Sequence, residues 1–238
     1  MTALARAGWR TLTLSAFAAH IQRGDVASDN ELLLTFDDGY ASLAEQAYPV
    51  IADLGFTATT FLITDYIGRA NTWDVRYTWR RLRHLDWPVI ERWKDRGFEF
   101  ASHGVAHRRL TWLDDTAAAD ELGRSRETLI RRLGADAGRA VAYPFGAVDR
   151  RIERLADTAG YRLGFGGVRG DSGSPLHLPR IPVYLWDAGN VPFGLRADAL
   201  GTVGKFVAHV ANRCGVGTSV MLKLHGRWEK GDGRDGGP

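Results

Sequence analysis

Cysteine is almost absent from this chain. Cys214 is the one cysteine among 238 residues, which excludes an intrachain disulfide and a cysteine-built zinc site. There is no run of about 20 apolar residues, so no segment reads as a membrane-spanning helix. A strong charge bias is also lacking. Lys and Arg number 31 against 28 Asp and Glu, a formal net charge of +3, and the arginine-rich stretches "RRLRH" (80–84) and "RRIER" (150–154) read as solvated helix faces. No nucleic-acid partner is expected. The N-terminal "MTALARAGWRTLTLSAFAAHIQRG" lacks the continuous apolar segment of a secretory signal, because Arg6 and Arg10 interrupt it. It reads instead as a short helix, a strand from Thr11 to Leu14 and a helix capped by Ser15. The chain as it stands reads as cytoplasmic, or as secreted if a leader was removed before Met1. A glycine-rich phosphate loop is missing too. "GFGGVRG" (164–170) resembles one only loosely and reads as a flexible loop.

What is present is a regular alternation of strands and helices in a chain long enough for one large core. "ELLLTF", "FTATTFLI", "FEFAS", "RAVAYP", "YRLGFG", "RIPVYL" and "SVMLKLHG" read as strands. Helices fall between them: "ASLAEQAYPVIADLG" with Pro49 able to start a second short helix, "WPVIERWKDRG", "DDTAAADELGRSRETLIRRLG", "VDRRIERLADTAG" and one over Leu195 to Asn212. A long irregular stretch runs from Thr64 to Asp86. Residues 1–228 form one domain, and the polar, glycine-rich 229–238 reads as a disordered tail. Seven or eight mostly parallel strands covered by helices make an α/β fold, either a barrel or an open doubly wound sheet.

Polar residues gather at the carboxyl ends of four strands. "TFDDG" ends the first with adjacent acids, Asp37 and Asp38. "SHGVAH" (102–107), "AYPFG" (142–146) and "LHG" (224–226) end three others. In a parallel barrel those ends share one face, where sites are built. Two neighbouring carboxylates repel, and a divalent cation removes that conflict. His103 and His107, four apart on one helical turn, join one of the two acids to make a His, His, Asp set with open positions. Taken singly, Asp-Asp-Gly is a turn and His-x-x-x-His a surface pair. It is the combination that carries the signal.

Together and in this order, "TFDDG", "SHGVAH", "AYPFG" and "LKLHG" resemble the NodB-homology polysaccharide deacetylases, carbohydrate esterase family 4. The resemblance runs from about Leu12 to His225. It implies a distorted (β/α) barrel and a hydrolase that removes N-acetyl or O-acetyl groups from amino-sugar polymers with a divalent metal, most often Zn2+, with Co2+, Mn2+ or Ni2+ as alternatives. It further implies Asp38, His103 and His107 as metal ligands and Asp37 as the general base. His225 becomes the general acid, and the backbone N–H of Phe145 a donor to the oxyanion. Tyr143 and Pro144, beside Phe145, are assigned to substrate contact. The chain departs from the family at Gly104, where many members have Ser or Thr that steadies the loop between the histidines. It departs again at Ala142, where many have an arginine paired with the base. Arg180 or Arg139 takes that place, and sequence does not choose between them. Asp187 is the candidate partner of His225, and equally a helix cap.

The eight tryptophans fit a carbohydrate groove as well as a core. "NTWD" (71–74) is the best candidate wall, with Trp73 against substrate. The alternative readings are hydrolysis of another C–N bond on a small molecule or a lipid-linked sugar, and an inactive carbohydrate-binding relative.

Overall fold

In the computed structural model, residues 1–24, 30–73, 82–167 and 173–183 are described. His225, Asp187, Trp79, Trp186 and Trp228 lie outside them, as do the expected helix over 195–212, the strand "SVMLKLHG" and the tail. Helices α1 (Thr2–Arg6) and α2 (Leu14–Arg23) flank strand β1 (Arg10–Thr11). The cap of α2 is Thr13, not Ser15: its hydroxyl accepts from the Ala16 N–H at 3.1 Å, so the expected strand stops short at Thr11. The apolar run "ELLLTF" divides into β2 (Glu31–Leu32) and β3 (Thr35–Phe36). β2 pairs with β1, and β3 starts the main sheet.

That sheet continues through β4 (Thr59–Leu62), β5 (Glu99–Ser102), β6 (Ala140–Ala142) and β7 (Leu163–Phe165). Its five strands lie in sequence order, and every pairing is parallel. Each crossover carries a helix: α3 (Tyr48–Asp53), α4 (Trp87–Lys94), α5 (Asp115–Leu133) and α6 (Arg150–Ala159). This is the parallel half-barrel of an α/β fold. Asp86, Asp114 and Asp149 cap α4, α5 and α6 through their carboxylates, which satisfies N–H groups that a helix leaves unpaired at its start.

The two-residue period of the strands sorts side chains onto two covered faces. Phe61, Ala101, Ala140, Ala142, Leu163 and Phe165 pack with Leu14 and Ala18 of α2. Leu62 and Phe100 point the other way, into a cluster with Tyr48, Ile90, Trp93 and Leu129, while Val141 meets Leu122, Ile152 and Tyr161. Alanines on the inner face leave room for α2. Burial of both faces is what a parallel sheet requires, and the strand ends are left to carry the polar residues.

Two expected elements differ. "RRLRH" is not a helix face in its described part. Leu82–His84 is extended, and Arg83 and His84 bridge to Ala70 and Tyr40. The described part of "RIPVYL", Arg180–Val183, forms no strand. Leu178 just before it makes an isolated parallel bridge to Phe165.

Candidate functional site

The turn after β3 puts Asp38 at φ 68 and Gly39 at φ 68. Glycine suits position 39, because a Cβ there would sit 2.5 Å from Leu62 Cδ2 and that buried side chain would have to shift. Asp38 has no such exemption, and its left-handed backbone costs about 1 kcal/mol. His107 (φ 55) and Phe145 (φ 61) are the other described non-glycine residues in this region. All three follow the carboxyl ends of strands of the main sheet, Asp38 after β3, His107 after β5 and Phe145 after β6.

The ligating atoms of Asp38, His103 and His107 lie within 4.8 Å of one another. Asp38 Oδ1 is 3.4 Å from His103 Nε2 and 3.5 Å from His107 Nε2. An ion about 2.1 Å from each atom in tetrahedral geometry would hold them about 3.4 Å apart. Asp38 Oδ1 is buried and has no hydrogen-bond partner among the described residues. The donor set therefore fits a small divalent cation. His103 is prepared for it. Its Nδ1 lies 2.7 Å from the Ala142 carbonyl, which can only accept, so the proton sits on Nδ1 and the Nε2 lone pair faces the site.

The histidines are joined by an irregular turn rather than the helical turn the spacing suggested. Gly104 takes φ 81. A buried carboxylate that sequence reasoning missed holds this turn. Glu121 Oε2, on α5, accepts from the N–H groups of Val105 (2.8 Å) and Ala106 (3.0 Å). Its sequence signal was a charge at the position of an apolar stripe, beside Leu122 and between Ala118 and Ser125.

Of the two arginines offered as partners for Asp37, Arg139 pairs with Asp136 instead. Arg180 makes a two-pronged ion pair to Asp37, Nη1 to Oδ1 at 2.7 Å and Nη2 to Oδ2 at 2.8 Å. Burial opposes ionisation of Asp37. The Arg180 charge, helped by the nearby imidazoles, overcomes it and holds the carboxyl well below its usual range. The histidines split. Burial, then repulsion from His103, drives His107 down to about 2, which keeps it a neutral lone-pair donor. For His103 burial opposes protonation, but the neighbouring Asp37 and Asp38 carboxylates outweigh it and raise the ring above its usual value.

Trp73, the residue expected as a substrate wall, has its ring 3.8 Å from that of His107. The Phe145 ring also meets His107, with centroids 4.6 Å apart. Tyr143 does not line the groove. Its side chain is fully buried and its hydroxyl donates to the Leu176 carbonyl at 2.8 Å. Pro144 is buried as well, so Phe145 is the member of "AYPF" left facing the site. At Gly146 the close approach is to protein: a Cβ would lie 2.6 Å from Gly167 N. His84, another residue missed in the sequence, is buried beside Asp38, with Nδ1 2.8 Å from the Asp38 carbonyl oxygen.

The chain is similar to known proteins. The sequence model of the family described as polysaccharide deacetylase matches residues 25–164. "Putative polysaccharide deacetylase YxkH" of Bacillus subtilis is 26% identical over 179 residues, covering 73% of this chain. The aligned region is 60% of that relative's length. Among solved structures, the Streptococcus pyogenes deacetylase PplD in complex with acetate is similar at TM-score 0.66 and 22% identity, covering 76% of each chain. IcaB from Ammonifex degensii is similar at TM-score 0.65 and 22% identity, covering 78% of this chain and 82% of that one. These two likenesses establish a shared fold.

Proposed function

The chain belongs to the polysaccharide deacetylase family, and from that premise we propose that it is a metal-dependent hydrolase removing N-acetyl groups, or O-acetyl groups, from an amino-sugar polysaccharide or oligosaccharide. The observation that carries this reading is the separation of work between adjacent acids. Asp38 faces two imidazole nitrogens, while Asp37 is turned away to Arg180.

Asp38, His103 and His107 would hold the cation, with zinc favoured by a mixed nitrogen and oxygen set. When bound, the cation supplies a Lewis acid that polarises the acetyl carbonyl and makes water more acidic. Asp37, kept anionic and oriented by Arg180, takes a proton from the attacking water as general base. The Phe145 backbone N–H, presented by a left-handed turn, stabilises the oxyanion. Trp73 offers an apolar face to a sugar ring. His225, assigned from sequence, protonates the departing amine, with Asp187 as its partner.

Acetate release from chito-oligosaccharides, acetylated xylan and glycolipid precursors, each with zinc, with Co2+ and after chelation, tests the reading. Release from an amino sugar that chelator abolishes and metal restores is expected. Release that survives full chelation overturns the metal mechanism, and zinc binding without release from any acetylated sugar overturns the deacetylase assignment.

A further inference from the structure

His84 touches no candidate ligand side chain, yet it links two of the ligand positions. The segment that bears it is stitched to the Asp-Asp-Gly turn. The Leu85 N–H donates to the Gly39 carbonyl at 2.8 Å and the Ala41 N–H to the Arg83 carbonyl at 2.8 Å. Between these bonds the His84 side chain is 3% exposed and stacks on Tyr40, centroids 4.8 Å apart.

Its two nitrogens have partners that agree on one tautomer. The Asp38 carbonyl, 2.8 Å from Nδ1, can only accept. The Trp73 indole Nε1, 3.4 Å from Nε2, can only donate. A neutral ring protonated on Nδ1 satisfies both. Trp73 then lies on His107, so a continuous path runs from Asp38 through His84 and Trp73 to His107.

We infer that His84 is a positioning residue that fixes the strained Asp38 turn through Nδ1 and the Trp73 wall through Nε2, tying metal-site geometry to substrate contact. The inference rests on the deacetylase reading for its substrate half and on the metal site alone for the other. With both nitrogens engaged, His84 is not itself a ligand. A residue that packs the loop and nothing more would affect stability but not divide its effects between metal and substrate.

The two halves are separable by substitution. His84→Asn keeps an N–H donor at the place of Nδ1 and removes Nε2. His84→Phe keeps the stacking and removes both hydrogen bonds. Trp73→Phe keeps a ring over His107 and removes the indole donor. Zinc affinity is read by chelator competition, and KM and kcat by acetate release from a chito-oligosaccharide. His84→Phe should weaken zinc binding by about tenfold or more, the scale for partners that orient ligands. His84→Asn should bind zinc like wild type and raise KM. Trp73→Phe should raise KM equally, and the double variant His84→Asn, Trp73→Phe no further, because both remove one interaction.

Undiminished zinc affinity in folded His84→Phe, or KM effects of His84→Asn and Trp73→Phe that multiply, would overturn the proposal. If His84→Phe does not fold, His84→Asn decides the matter, and wild-type KM in it is equally fatal. A wild-type chain that binds zinc without releasing acetate removes the deacetylase reading and leaves the zinc comparison to judge His84. One that binds no zinc removes both.

Discussion

Asp37 and Asp38 are neighbours in sequence with separate surroundings, and their replacements should fail differently. Asp38→Ala removes a carboxylate whose buried oxygen faces both imidazoles, and it should lose zinc, as metal analysis of the purified variant would detect. Asp37→Asn neutralises the proposed base alone, and should keep zinc and lose turnover. The reverse outcome would exchange the two roles. Arg180 governs the acidity of Asp37, whose carboxyl is depressed chiefly by that guanidinium against burial. With Arg180→Met the burial contribution prevails and the carboxyl rises. The base is then protonated at a higher pH on acidification, so the acid limb of the kcat/KM profile should move upward. An unmoved limb would mean that this limb belongs to another group.

At the scale of elements, α5 both packs the sheet and holds the ligand turn. One oxygen of Glu121 accepts two backbone N–H groups. Glu121→Ala should leave the buried Val105 N–H unpaired, at about 1–3 kcal/mol, and the half-buried Ala106 N–H to water, lowering the melting temperature and weakening zinc binding. Glu121→Gln retains one oxygen that can accept both and should recover most of the loss in the same thermal scan. The strand ends and their polar motifs were legible because each is a short contiguous pattern: an apolar run, then its chemistry. Arg180 was legible only as one of two arginines, since an ion pair across the chain leaves no local periodicity. His84 was hidden in "RRLRH", where charge density suggests a helix. Its extended conformation depends on the backbone bonds to residues 39–41, which propensity does not encode. Tyr143 misled for the opposite reason, because adjacency to Phe145 placed it in the site while strand alternation turned it into the core.

For the molecule as a whole, the site exists only when the half-barrel is assembled. Arg180 and Asp37 are 143 positions apart, and β3, β5 and β6 each carry part of the constellation at their ends. A ligand that binds only this assembly stabilises the native state by mass action, about 2.7 kcal/mol at a hundredfold excess over Kd. Zinc should therefore raise the melting temperature and chelator lower it, as differential scanning calorimetry would record. The all-parallel topology extends this consequence to kinetics. Every strand pairing must close a crossover before it forms, so sheet assembly is intrinsically slow, and a transition state with unpaired strands has little to offer a cation. Zinc should slow unfolding while leaving the refolding rate unchanged. If zinc instead accelerates refolding in stopped-flow experiments, the ligand turns meet before the sheet does. The cation would then act early, as a nucleating clasp between distant parts of the chain.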